Sequence, residues 1–226
     1  MGGNYGLSEW GNMTQAVTTE RLTGAARTLA LLSLVGIILY VVIDVLLFVL
    51  RPELSLLHRA ESDYGNGQWA WLMDANFLLR CALSLAAVGA LWSVLPARGR
   101  NRLALGLLAV WAICSGVLAF FSDDEPGAAA TPHGKLHLAA AAIAFLCCLI
   151  ATFLLTGALA RSTALAAMLS AAWGIAAAGF ILLIVLGLHP NALGGLYERL
   201  FLGGELLWLA VAMGWLLRLR APKSGA

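Results

Sequence analysis

Residues 28–50 read TLALLSLVGIILYVVIDVLLFVL, an apolar run broken by a single carboxylate at Asp44. About 20 apolar residues in helical conformation cross the hydrocarbon core of a bilayer, so a run of this length predicts a spanning helix. A secretory signal would instead show a basic start, a short apolar core and a small-residue cleavage site, whereas this run ends in Arg51-Pro52. Outward from it the pattern repeats. Further spans are predicted at Trp69–Leu95, Leu103–Phe121, His133–Leu159, Ala164–Leu188 and Leu196–Leu217.

Composition agrees: apolar residues make up 61% of the 226 and charged residues 12%, which places the chain among polytopic membrane proteins. The reading is an all-α bundle of six transmembrane helices, with a polar N-terminal tail at 1–26, a transmembrane domain at 27–219 and a basic C-terminal tail at 220–226. A net charge of +2 without basic clusters interleaved by aromatics excludes a nucleic-acid partner. Cys81, Cys114, Cys147 and Cys148 all fall in apolar segments and read as packing residues.

Orientation follows from lysine and arginine, which collect on cytoplasmic flanks. With both termini cytoplasmic, Arg21, Arg27, Arg98, Arg100, Arg102, Arg161, Arg218, Arg220 and Lys223 lie inside, nine of fourteen. The expected location is the bacterial plasma (inner) membrane. In this orientation the acids beyond Glu9 and Glu20 gather in the outer half.

Ionisable groups inside spans are functional candidates, because a charge in hydrocarbon costs several kcal/mol unless it pairs or faces water. Counting about 1.5 Å per residue puts Asp44 and Asp74 roughly 8 to 9 Å deep, His137 about 6 to 8 Å, and Arg80 and Glu205 about 14 to 16 Å. The matching depths predict an Arg80–Glu205 ion pair beneath a polar layer of Asp44, Asp74 and His137, lining an outward cavity. Glu198 lies seven residues before Glu205, on the same helix face. The loop sequence Ser62-Asp63-Tyr64-Gly65, followed by Gly67, reads as an ordered turn over the cavity mouth.

In FFSDDEPGAAATPHGKLHLA, residues 120–139, His133 and His137 stand one helical turn apart. Two imidazoles so placed suit a divalent metal, and zinc is the expected cofactor, with the remaining ligand drawn from His189, Asp123, Asp124 or Asp74. Zinc-bound water ionises near pH 7, so a zinc-dependent intramembrane hydrolase of a lipid-like ester or amide is one functional reading, with Asp74 or Glu205 relaying protons. The other is a non-catalytic binding or transport protein for a cation, a proton or a small amphiphile. In either case the partners are the lipid bilayer and a lipid or amphiphile ligand.

RPELS at 51–55, SDYGNGQWAWLMDANFLL at 62–79, the acid-rich loop into TPHGKLH at 131–137 and YERLFLGGELLW at 197–208 resemble the bacterial six-span membrane family catalogued as domain of unknown function 998. The resemblance runs from about Thr28 to Leu219. It implies six spans and points to Asp123 or Asp124, His133, Gly134, His137, Glu198 and Glu205, and it names no reaction. A looser similarity of site chemistry links the His-x3-His pair to the membrane hydrolases that include alkaline ceramidases and the progestin and adipoQ receptors. The present chain departs from those in having six spans for seven, in carrying the pair on the fourth helix, and in placing neither Ser62 nor Ser122 four residues before a histidine.

Overall fold

Small residues decide how the first helix, α1 (Gly24–Leu50), meets the second, α2 (Ala70–Trp92). Ala26, Ala30, Ser33, Gly36 and Tyr40 form its buried stripe, and a Cβ on Gly36 would stand 2.7 Å from Leu83 Cβ. The backbones approach because nothing intervenes, which is how helices pack where lipid supplies no hydrophobic drive. The opposite face, with Val35, Ile38, Val42, Val45 and Val49 more than half exposed, suits acyl chains.

Four more helices follow: α3 (Gly99–Leu118), α4 (Pro132–Leu159), α5 (Thr163–Gly187) and α6 (Gly194–Arg218). The computed structural model describes residues 22–125, 127–160, 162–187 and 193–219, and among these all six helices are long and apolar enough to cross a membrane. The chain is therefore a multi-pass integral membrane protein. His189, Arg21, Arg161, Arg220, Lys223, most of the 1–26 tail and the whole of the 220–226 tail lie outside the described residues. The first helix starts at Gly24, four residues before the apolar run, because Thr23 Oγ1 accepts the Ala26 amide at 3.2 Å as an N-cap.

Successive helices alternate in direction and neighbours in sequence pack together, with α6 returning to α1. The α4–α5 seam is thinner than the α3–α4 and α5–α6 contacts on either side. Between α5 and α6 the approach is closest, since a Cβ on Gly179 would collide with the backbone at Phe201 and one on Gly204 with Ala176. Trp111, Phe145 and Phe201 fill the centre, with ring centroids 6.1, 6.4 and 4.5 Å apart. A second core at the α1–α2 loop end joins Leu47, Leu54, Tyr64, Met73, Phe77 and Leu118. That second core holds the loop down on the bundle.

Candidate functional site

Part of the α1–α2 connection is buried against the bundle. Residues Glu61–Gly65 form a 3-10 helix in which every residue is buried, so the ordered turn expected from sequence is present and plugs the bundle mouth. Arg199 of α6 ties it down, its NH1 donating to the carbonyls of Leu56 at 3.0 Å and Arg59 at 2.8 Å, while the Leu196 amide donates to Leu57. A side chain at Gly195 would strike the Arg59 carbonyl. Gly67 closes the turn with φ at +84°, the left-handed region that glycine enters without strain.

The plug carries Glu61 to Arg80. Arg80 is 2% exposed; its Nε donates to Ser115 Oγ at 3.1 Å, its NH1 to Tyr40 Oη at 3.0 Å, and NH1 stands 3.9 Å from Glu61 Oε2. Tyr40 in turn donates to Glu61 Oε1 at 2.5 Å. The guanidinium also lies 5.0 Å from the Trp111 ring and 5.1 Å from that of Phe77, within cation–π range. The expected Arg80–Glu205 pair is thus corrected: the carboxylate comes from the loop. Glu205 instead faces α4, where Cys148 Sγ lies 3.3 Å and Thr152 Oγ1 3.4 Å away.

Two further carboxyls stand near Glu61. Glu198 Oε2 accepts the Glu61 amide at 3.0 Å, and the half-buried Asp44 lies within electrostatic range of Glu61, Arg199 and Arg80.

Beside this cluster lies a cavity of about 290 Å³. Phe77, Leu118, Ala141, Phe145 and Leu183 give it apolar walls, and Ser62, Arg80, Asp123, His137 and Glu198 supply its polar groups. Leu138, 60% exposed, and Leu183 line it from either side of the thin α4–α5 seam. The cavity therefore adjoins the lipid-facing surface at one side.

The α3–α4 loop supplies the remaining polar edge. Asp123 accepts Ser62 Oγ–H at 3.1 Å, joining the two loops. Asp124 accepts both the Thr131 amide at 2.9 Å and the Thr131 hydroxyl at 2.6 Å, while Thr131 Oγ1 caps α4 through the Gly134 amide. A Cβ on Gly134 would collide with that carboxyl, so Asp124 and Gly134 are explained by the helix start. The two Thr131 bonds hold the Asp124 carboxyl below its ordinary 3.8. Burial pushes Asp63 up, opposed by Arg59, whose Nε lies 2.9 Å from its Oδ2, and reinforced by Asp123.

His133 and His137 share a face as expected, since both meet Phe121: the exposed His133 ring lies 5.3 Å from the Phe121 ring, and the buried His137 bonds the Phe121 carbonyl through Nδ1 at 2.7 Å. Among the described residues no three His, Cys, Asp or Glu side chains gather to hold a metal ion. Asp74, expected in the polar layer, is half-buried and meets no charged partner among the described residues. Six residues before Arg80, it points about 120° away around the helix. Sequence reasoning missed Tyr40 and Ser115 as partners of Arg80 and took Glu61 as a solvated loop acid. The available signal was Arg80 itself, since a buried guanidinium requires a nearby acid.

In comparison with known proteins, the model of the family described as "Protein of unknown function (DUF998)" aligns with residues 34–215. No curated protein and no solved structure matches the chain.

Proposed function

We propose, for a chain that belongs to the DUF998 family and takes no activity from that family's description, that it binds a small amphiphile in the loop-end cavity. The observation that carries this reading is the cavity's two-sided chemistry. Apolar walls reach the α4–α5 seam, where a hydrocarbon tail passes from the bilayer, and the inner end carries Arg80, Glu198 and His137, where a polar group is recognised. Arginine enrichment at the opposite end of the bundle supports an outward position for the cavity.

The test is a binding titration of purified protein with straight-chain amphiphiles carrying amine, carboxylate, phosphate or uncharged head groups. Saturable binding is expected for one head-group class, lost in Ala141→Trp, which fills the cavity, and kept in Val45→Trp on the lipid face of α1. Equal partitioning of every amphiphile into all three proteins would overturn the reading.

Hydrolysis of the bound amphiphile is a second reading, favoured by one observation: Ser62, Asp123 and His137 all line this cavity. His137 uses Nδ1 on the Phe121 carbonyl, so Nε2 would take the Ser62 proton as that oxygen attacks an ester carbonyl and pass it to the departing alcohol. The zinc version would use His133 and His137 with a third ligand from His189, Asp123, Asp124 or Asp74. Elemental analysis of untagged protein beside His133→Ala/His137→Ala tests it: one zinc per chain, lost in the variant, supports it, and metal-free wild type of normal stability contradicts it.

A further inference from the structure

At the other end of the bundle, remote from the loop-end cavity, a groove of about 370 Å³ runs between the start of α5 and the end of α6. Leu165 and Met168 form one wall and Val211 and Gly214 the other, with Ser162 and Arg218 also lining it. Gly214 is what leaves the floor open, since a Cβ there would meet nothing within 4 Å. Ser162 Oγ accepts the Leu165 amide at 3.2 Å.

Charge decides the occupant. Among the described residues this end carries Arg27, Arg98, Arg100, Arg102 and Arg218 and no carboxylate. Arg27 and Arg100 already donate to the Leu217 and Leu154 carbonyls, whereas Arg218 is exposed and at the groove. An apolar channel beginning at a serine hydroxyl and a guanidinium fits one acyl chain beneath a phosphodiester. We infer that the α5–α6 groove is a binding site for an anionic phospholipid, whose phosphate meets Arg218 and the Ser162 hydroxyl while one chain lies along Leu165, Met168, Val211 and Gly214.

Native mass spectrometry of the full chain in mixed micelles tests this, with phosphatidylglycerol and phosphatidylcholine of identical acyl chains as probes. Wild type should retain the anionic lipid about fivefold over the zwitterionic one, the equivalent of about 1 kcal/mol for one basic residue at an anionic head group. Arg218→Gln should bring that ratio within twofold of unity, and Gly214→Leu, which has room to fold, should reduce phosphatidylglycerol retention with the charge in place. Arg98→Gln/Arg102→Gln should change neither value. An unchanged ratio in Arg218→Gln, full retention in Gly214→Leu, an equal loss in the Arg98/Arg102 double variant, or displacement by excess soluble glycerol phosphate would each overturn the site.

Discussion

Replacing Arg80 with methionine removes the cation from the plugged mouth while keeping a long apolar side chain. The guanidinium makes hydrogen bonds to Ser115 and Tyr40 and lies 3.9 Å from Glu61. At that separation, two charges attract by about 4 kcal/mol in a medium of effective dielectric about 20, and stranding one member of a buried pair costs about 3 to 5 kcal/mol. The Glu61 carboxyl left behind keeps its bond from the Tyr40 hydroxyl, which places Arg80→Met near the lower end, about 3 kcal/mol. Glu61→Gln should cost about 2 kcal/mol, because its amide oxygen still accepts the Tyr40 hydroxyl. With neither charge present the double variant loses mainly packing, about 2 to 3 kcal/mol, so the coupling is about 2 to 3 kcal/mol. Reversible unfolding in mixed micelles, followed by the fluorescence of the eight tryptophans, measures the cycle. Additivity within about 0.5 kcal/mol would refute the pairing.

The other outcomes follow from the same contacts. Glu205→Gln should change stability by no more than about 1 kcal/mol and combine additively with Arg80→Met, because Glu205 faces Cys148 and Thr152 and no arginine; a loss of 3 kcal/mol or more in unfolding would restore the Arg80–Glu205 pair. Gly134→Ala should destabilise by about 1 to 2 kcal/mol through displacement of Asp124 from Thr131, and a thermal midpoint matching wild type would contradict this. Since the Asp124 carboxyl is held below 3.8, its support of the α4 start is fully present above that pH and lost as pH falls through the lower, folded-state value. Hydrogen exchange should therefore show the Thr131 amide protected at pH 5 and released in strong acid, with Asp124→Asn less protected at pH 5; equal protection in the variant would rule the cap out.

The spans were legible because bilayer thickness imposes a length on apolar runs that no other constraint imitates. Azimuth was not legible. Arg80 looks toward Tyr40 and Ser115 on α1 and α3 while Glu205 looks toward α4. Rotation of each helix depends on side-chain packing such as the Gly36–Leu83 approach, which spacing does not encode. Asp74 failed to join the polar layer for the same reason. His133 and His137 share a face because i and i+4 lie together on any helix, whatever its rotation. Glu61 was hidden differently, because an acid in a polar loop has solvation as its default account. The contacts from α6, such as Arg199 to the Arg59 carbonyl 140 residues away and Glu198 to the Glu61 amide, bring that loop inside.

The central claim is that the loop-end cavity accepts an amphiphile through the α4–α5 seam. An alkyl amphiphile with a diazirine in its chain, photolysed on the purified protein and mapped by peptide mass spectrometry, tests it most directly. Labels should concentrate on Phe77, Leu138, Ala141, Phe145 and Leu183 and disappear with excess unlabelled amphiphile. Labels confined to the lipid face of α1, at Val41, Val45 and Val49, and insensitive to competition would contradict the account.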